Sequence, residues 1–172
     1  MANIADFKSQ LIGGGARSNQ FRVYLHFPSY VSTGALEGAR AQFLCKTAQL
    51  PGSTIGTVTQ NYFGREVKFA GNRTFADWTI TIINDENFVI RNAFERWLSL
   101  INSHAGNLRL TAPSPDAYTS RATVKQFGKS SPVAIKTYDF VGMFPTDLST
   151  IDLNWGDTDS MEEFTEIGRA HV

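Results

Sequence analysis

The chain has 172 residues, 42% hydrophobic and 19% charged, with 16 basic and 16 acidic side chains. A chain near this length buries roughly 70% of the surface its unfolded form exposes, enough for one domain with its own core. The balanced charge argues against a protein built on phosphate contacts or on a basic membrane-facing surface, and it sets little self-repulsion against association with further copies.

Residues 1–20 are small and mixed and are expected to form a flexible N-terminal arm, since the run GGGARSN from Gly13 to Asn19 carries consecutive glycines with little to hold them in one conformation. The start shows no basic segment followed by an apolar run, so no secretory signal is expected there. No apolar run approaches the roughly 18 residues needed to span a bilayer. The expectation is a soluble chain made in the cytoplasm. Phe21 to Phe27 alternates and predicts a strand; residues 28–39 read as a loop, and residues 40–50 as a strand stopped by Pro51-Gly52. The runs TIGTVTQNYF and REVKF predict a hairpin around Gly64, with Val67 and Phe69 on one side and Glu66 and Lys68 on the other. Phe75 to Ile83 predicts a further strand whose two faces carry Trp78, Ile80 and Ile82, and Phe75, Asp77, Thr79, Thr81 and Ile83.

Residues 85–104 predict a helix. Ile90, Ala93, Phe94, Trp97, Leu98 and Ile101 form one apolar stripe, Asn84 and Asp85 stand where an N-cap belongs, and Gly106 follows as a stop. Strands are expected again over 118–127 and 133–144, and further short ones after Pro145. The total is about eight strands and one flanking helix, a mainly β (α+β) sandwich or barrel.

Catalytic patterns are missing. His26, His104 and His171 make no i, i+4 pair. The run GKSS at Gly128–Ser131 lacks the earlier glycine of a phosphate loop, since Thr123 stands there, and GGGARS puts Ser18 where a dinucleotide fingerprint needs its third glycine. Asp85 with Glu86, and Glu162 with Glu163, are adjacent pairs suited to a helix start or to opposite strand faces, not to acid/base work. Cys45 is the single cysteine, so no intrachain disulfide can form; in a strand its neighbour Lys46 points away, and the thiol reads as a buried or interface group. No cofactor, metal, small-molecule substrate or enzymatic activity is expected.

Four blocks, FLCKTAQLPGSTIG, YFGREVKFAGNRTFADWTITIINDENFVIRNAFERW, INSH and FVGMFPTDLSTIDLNW, together resemble the tail tube proteins of contractile-tailed bacteriophages, and the resemblance runs from about Gly13 to Thr165. It implies a barrel-like β-sandwich with a flanking helix. It also implies hexameric rings stacked into a hollow tube inside a contractile sheath, reaching from the baseplate to a tail terminator. DNA would pass through the bore without stable binding. It places the chain in the virion tail, assembled in the host cytoplasm. The tube of type VI secretion systems is a structural relative of that family. A closed ring needs one patch to meet a different patch on the next subunit, and exposed strand edges serve that need. The expected assembly residues are Pro51, Phe63, Gly64, Arg65 and Gly71 in the segment Pro51–Asn72, with Gly13 and Arg17 in the arm.

The resemblance stops near Thr165. Glu166–Val172, EIGRAHV, reads as neither strand nor cap and back-translates to GAG ATC GGA AGA GCA CAC GTC, which is similar to a common sequencing adapter. Residues 1–165 are therefore expected to be the tail-tube domain and 166–172 a non-native tail that leaves one strand of the sheet missing. Two other readings stand beside this one. The first is a tube protein of a phage-derived or type VI injection machine. The second is a monomeric sandwich that binds a ligand on Trp78, Trp97 and Trp155, although Trp97 on the helix stripe and Trp78 beside Ile80 and Ile82 suit a core better.

Overall fold

A computed structural model describes residues 3–11, 15–31, 36–110, 114–129 and 131–171. Its elements are helix α1 (Ile4–Gln10), strand β1 (Phe21–Leu25), helix α2 (Leu36–Leu44), strands β2 (Cys45–Ala48), β3 (Ser53–Tyr62), β4 (Arg65–Phe75) and β5 (Trp78–Ile83), helix α3 (Val89–Ile101), and strands β6 (Ser120–Gly128), β7 (Ser131–Leu148) and β8 (Glu163–His171). Six strands form one sheet in the order β1-β6-β7-β8-β5-β2, with every neighbouring pair antiparallel. The two edge strands, β1 and β2, approach each other, so the sheet curls toward a barrel. β3 and β4 form a separate two-stranded sheet.

The barrel interior follows from alternation. Trp78, Ile80 and Ile82 of β5 are buried while the residues between them are half-exposed, and Val23, Leu25, Ala122, Val124, Phe140, Met143 and Phe164 complete the interior. The Trp78 and Phe140 rings stack at 4.4 Å between centroids. Helix α3 closes one end. Its stripe residues Ile90, Ala93, Phe94 and Trp97 are buried. The Phe94 ring meets Phe27, just past β1, at 5.2 Å and Phe164, at the start of β8, at 6.4 Å. Trp97 Nε1 donates to the Tyr118 carbonyl ahead of β6, and Arg91 Nη1 to the Ser149 carbonyl just past β7. The helix is thus a plug tied to four strand ends. The helix begins at Val89, four residues later than the expected start at Asp85; its N-cap is Phe88, at a φ of 53° and without a side-chain cap, while Asp85 Oδ1 accepts from Val89 N at 3.0 Å and the other Asp85 oxygen pairs with Arg40 of α2.

The structure corrects the sequence reading in several places. The strand expected from Phe75 begins at Trp78, with Phe75 closing β4, and in place of short strands after Pro145 β7 runs through Pro145 to Leu148 and residues 149–162 hold no strand. Residues 4–10, expected in a mobile arm, form a helix whose N-cap Asn3 accepts from Ala5 N. Residues 36–44, read as loop and strand, form α2. An added Cβ at Gly38 would lie 2.6 Å from the Leu25 carbonyl oxygen, so this glycine is what lets the helix press on β1. The expectation of a missing strand is also overturned. Glu163–His171 is β8, paired on one side with β5 through Thr81↔Thr165 and Ile80↔Glu166 and on the other with β7 through Leu148↔Glu166.

Candidate assembly surface

The hairpin β3–β4 stands apart from the barrel. Every residue of β3 is exposed, and in β4 only Gly71 and Phe75 are half-buried. Its register pairs Val58 with Phe69, Gln60 with Val67 and Tyr62 with Arg65. Val58, Tyr62, Val67 and Phe69 therefore share one face, and Thr57, Thr59, Lys68 and Glu66 the other. The hairpin is amphipathic, yet its apolar face meets nothing: Val58 and Phe69 are each 56% exposed and Tyr62 68%. A lone two-stranded hairpin is at best marginally stable in water, so the open apolar face of these 23 residues (Ser53–Phe75) is the candidate assembly surface.

Its tip sharpens the point. Phe63 and Gly64 both have positive φ, 47° and 76°, the two central residues of a type I′ turn that matches the twist of the flanking strands. Asn or Gly suits the first of these places; a phenylalanine there is strained, and its ring is 89% exposed, with only an edge contact to Tyr62 at 4.5 Å. Such a side chain contributes little to this chain's own fold.

The expected site residues divide accordingly. Phe63, Gly64 and Arg65 come together, exposed, at the tip. Gly71 serves the hairpin itself: the register shifts there, and an added Cβ would sit 3.0 Å from the Gly56 carbonyl oxygen. Pro51 is half-buried at the hairpin base. Arg17 is exposed on the barrel wall, where its carbonyl accepts from Gln126 Nε2 at 3.3 Å, away from the tip. Gly13 lies outside the described residues. Sequence reasoning missed other exposed apolar groups, among them Ile4 and Phe7 of α1 and Phe43 of α2, because it had not placed helices there.

Among the described residues no group of three His, Cys, Asp or Glu side chains is arranged to hold a metal, and no helix is long and apolar enough to cross a membrane. Burial pushes the Cys45 thiol up to about 12, and its Sγ donates to the Thr47 carbonyl at 3.3 Å. We expect this thiol to react with a thiol-specific reagent at pH 8 at least tenfold more slowly in the folded chain than in denaturant, because the thiolate is the nucleophile; equal rates would show that it is not held in the fold. Trp78 and Trp97 are core residues, each 1% exposed, so of the three tryptophans Trp155 alone stands free, and the stacking platform is not assembled.

A barrel plugged by one helix and carrying an amphipathic, unpartnered hairpin is a building block for a larger assembly. Residues 16–166 match the phage tail tube protein family, and the chain belongs to that family. It is 31% identical over 152 residues to tail tube protein gp19 of Enterobacteria phage T4, covering 88% of this chain and 86% of that one. It is 30% identical over 167 residues to the tail tube protein of Serratia phage KSP90, covering 96% and 92%. Its fold resembles a chain of the 6-fold symmetrised anti-feeding prophage baseplate, with a TM-score of 0.63 at 14% identity over 91% of this chain and 92% of that one. It also resembles a chain of the PVC sheath–tube complex, an extracellular contractile injection system, with a TM-score of 0.55 at 14% identity over 95% of each.

Proposed function

We propose that this chain is a structural subunit of a phage tail whose copies close into hexameric rings. The rings stack into the inner tube through which DNA is delivered. The observation that carries this reading is the hairpin: an ordered, amphipathic ribbon with its apolar face and its strained Phe63 tip open to solvent. Membership of the tail tube family and the 6-fold symmetry of the related baseplate support it. The tip residues Phe63, Gly64 and Arg65 meet a neighbouring copy, Pro51 and Gly71 hold the hairpin in its pose, and Gly13 and Arg17 belong to a second contact through the arm. The role is passive and non-enzymatic. The bore carries few basic side chains, since a wall dense in Lys and Arg would retain DNA in transit. Sheath, baseplate and terminator proteins are the further partners, assembly takes place in the host cytoplasm, and the tube ends in the virion tail. A tube of a phage-derived injection machine is the second reading, favoured by the similarity to the anti-feeding prophage and PVC chains. Negative-stain electron microscopy of the concentrated protein tests assembly: rings or tubes are expected, and monodisperse small particles would contradict both readings.

The foreign origin of residues 166–172 is a proposal of the same kind. It is supported by the fully buried carboxyl that Glu166 places inside the barrel. Sequencing reads that run past the codon for Glu166 into further phage sequence, with no adapter, would refute it.

A further inference from the structure

Helix α3 plugs one end of the barrel, where it meets Phe27 past β1 and the Tyr118 carbonyl ahead of β6. The other ends of these strands surround a cavity of about 140 Å³. Phe21 opens β1, Ala48 closes β2 and Leu50 follows it; behind them stand Val124 of β6 and its cross-strand partner Tyr138 of β7, with Gln126 as a polar neighbour. Val124 is buried, Phe21, Ala48 and Tyr138 are half-buried against the core, and Leu50 is left 44% exposed at the lip. Among the described residues no side chain fills this mouth.

We propose that the mouth receives the Phe63 ring of a second copy of the chain. The proposal rests on the tube reading and deepens it, because it names the patch that the hairpin tip meets. Size selects a phenyl ring: an apolar cavity of about 150 Å³ holds one benzene molecule. The exposed indole of Trp155 is larger, and the exposed ring of Phe43 already lies under Arg22 at 6.0 Å. Phe63 is 89% exposed at the end of a stiff ribbon, in a turn whose φ of 47° strains it. Strain of that kind persists where the side chain serves a function outside its own fold.

Reach separates the tip from its own mouth. β3 runs ten residues, so the tip stands roughly 33 Å from the base of the ribbon, about the diameter of a small domain. That base, Ser53, follows Leu50 by three residues. The ribbon therefore starts at the lip of one mouth and ends a subunit's width away. Each copy offers a tip and a mouth as two different patches, the heterologous contact from which rings and stacked arrays are built.

The test is a double-mutant cycle on the full chain, reading the concentration needed for polymerisation by sedimentation and the fold by circular dichroism. Phe63→Ala removes the ring and Ala48→Phe fills the mouth. Within one chain the two positions are too far apart to interact, so their effects multiply unless they meet across copies. Each single change is expected to raise the threshold concentration about 10- to 100-fold, and the double variant to raise it no further than the larger single change. A double variant whose threshold rises by the product of the two would overturn the proposal and leave the tube reading standing. So would an unchanged threshold for Ala48→Phe, or a mouth that couples to Phe7→Ala of α1 instead, which would give it to another segment. An unmodified chain that forms no polymer would overturn the tube reading and this contact with it. Should Ala48→Phe fail to fold, Leu50→Ala at the exposed lip takes its place in the same cycle, with the same lack of additivity expected.

Discussion

Excising Ser53–Phe75 and joining Gly52 to Ala76 through a short Gly-Ser link is expected to leave a folded barrel that no longer polymerises. The junction is already close, since Ala76 N donates to the Gly52 carbonyl at 3.0 Å. Among the described residues the hairpin contributes nothing to the interior: the buried core lies wholly outside residues 53–75, and Trp78 is its first member after the hairpin. Folding stability should therefore change by no more than about 0.5 kcal/mol, the usual range for surface changes. Assembly should change completely, because Val58, Tyr62, Phe63, Val67 and Phe69 are lost together and burying one such side chain contributes roughly 1.5–3 kcal/mol. Two point variants report the same division in milder form. Phe63→Asp places a charge where the ring would be buried, and Gly64→Pro cannot hold the φ of 76°. Each should raise the concentration needed for polymerisation by about 10- to 100-fold, as one lost anchor implies, while the circular dichroism spectrum is retained. Sedimentation velocity and thermal melts read the two effects separately, and a variant that loses both in equal measure would show the hairpin to be part of the fold.

Phe94→Ala should produce the opposite pattern, with folding and assembly failing together. Phe94 is 0% exposed and stands at the centre of the plug, against Phe27, Trp97 and Phe164. Truncating a buried aromatic costs about 3–5 kcal/mol through lost transfer energy and the cavity left behind. A single domain holds only about 5–15 kcal/mol in total. Denaturation followed by the fluorescence of the buried Trp78 and Trp97 would measure the loss. A change below about 1 kcal/mol, the level of a tolerated volume-conserving swap, would mean that α3 lies on the barrel without closing it.

These two variants also mark what the sequence makes legible. The stripe of α3, the alternation of β5 and the turn at Gly64 were all readable because each is a local pattern whose period names its partner face. The hairpin was readable as a hairpin and, through the resemblance, as a contact; that its apolar face lies bare and that Phe63 bears the strain of the turn required the register. Gly71 shows the limit of a residue-by-residue reading, since the close approach of Gly56 within the ribbon, which calls for a glycine there, appears only in the register. Helix α2 was hidden by Gly38, a poor helix former on its own, which tertiary contact with Leu25 turns into a requirement. β8 was hidden by Glu166 and Gly168, poor strand residues that two flanking strands nevertheless hold in register.

The most direct test of the assembly account is a cryo-electron-microscopy reconstruction of the polymer formed by this chain, with attention to Tyr62–Arg65. The account predicts that the apolar face of the hairpin and the Phe63 ring are buried against another copy while the plugged barrel stays as it is in the single chain. A polymer in which Phe63 remains in solvent, or in which the hairpin folds back onto its own barrel, would contradict it.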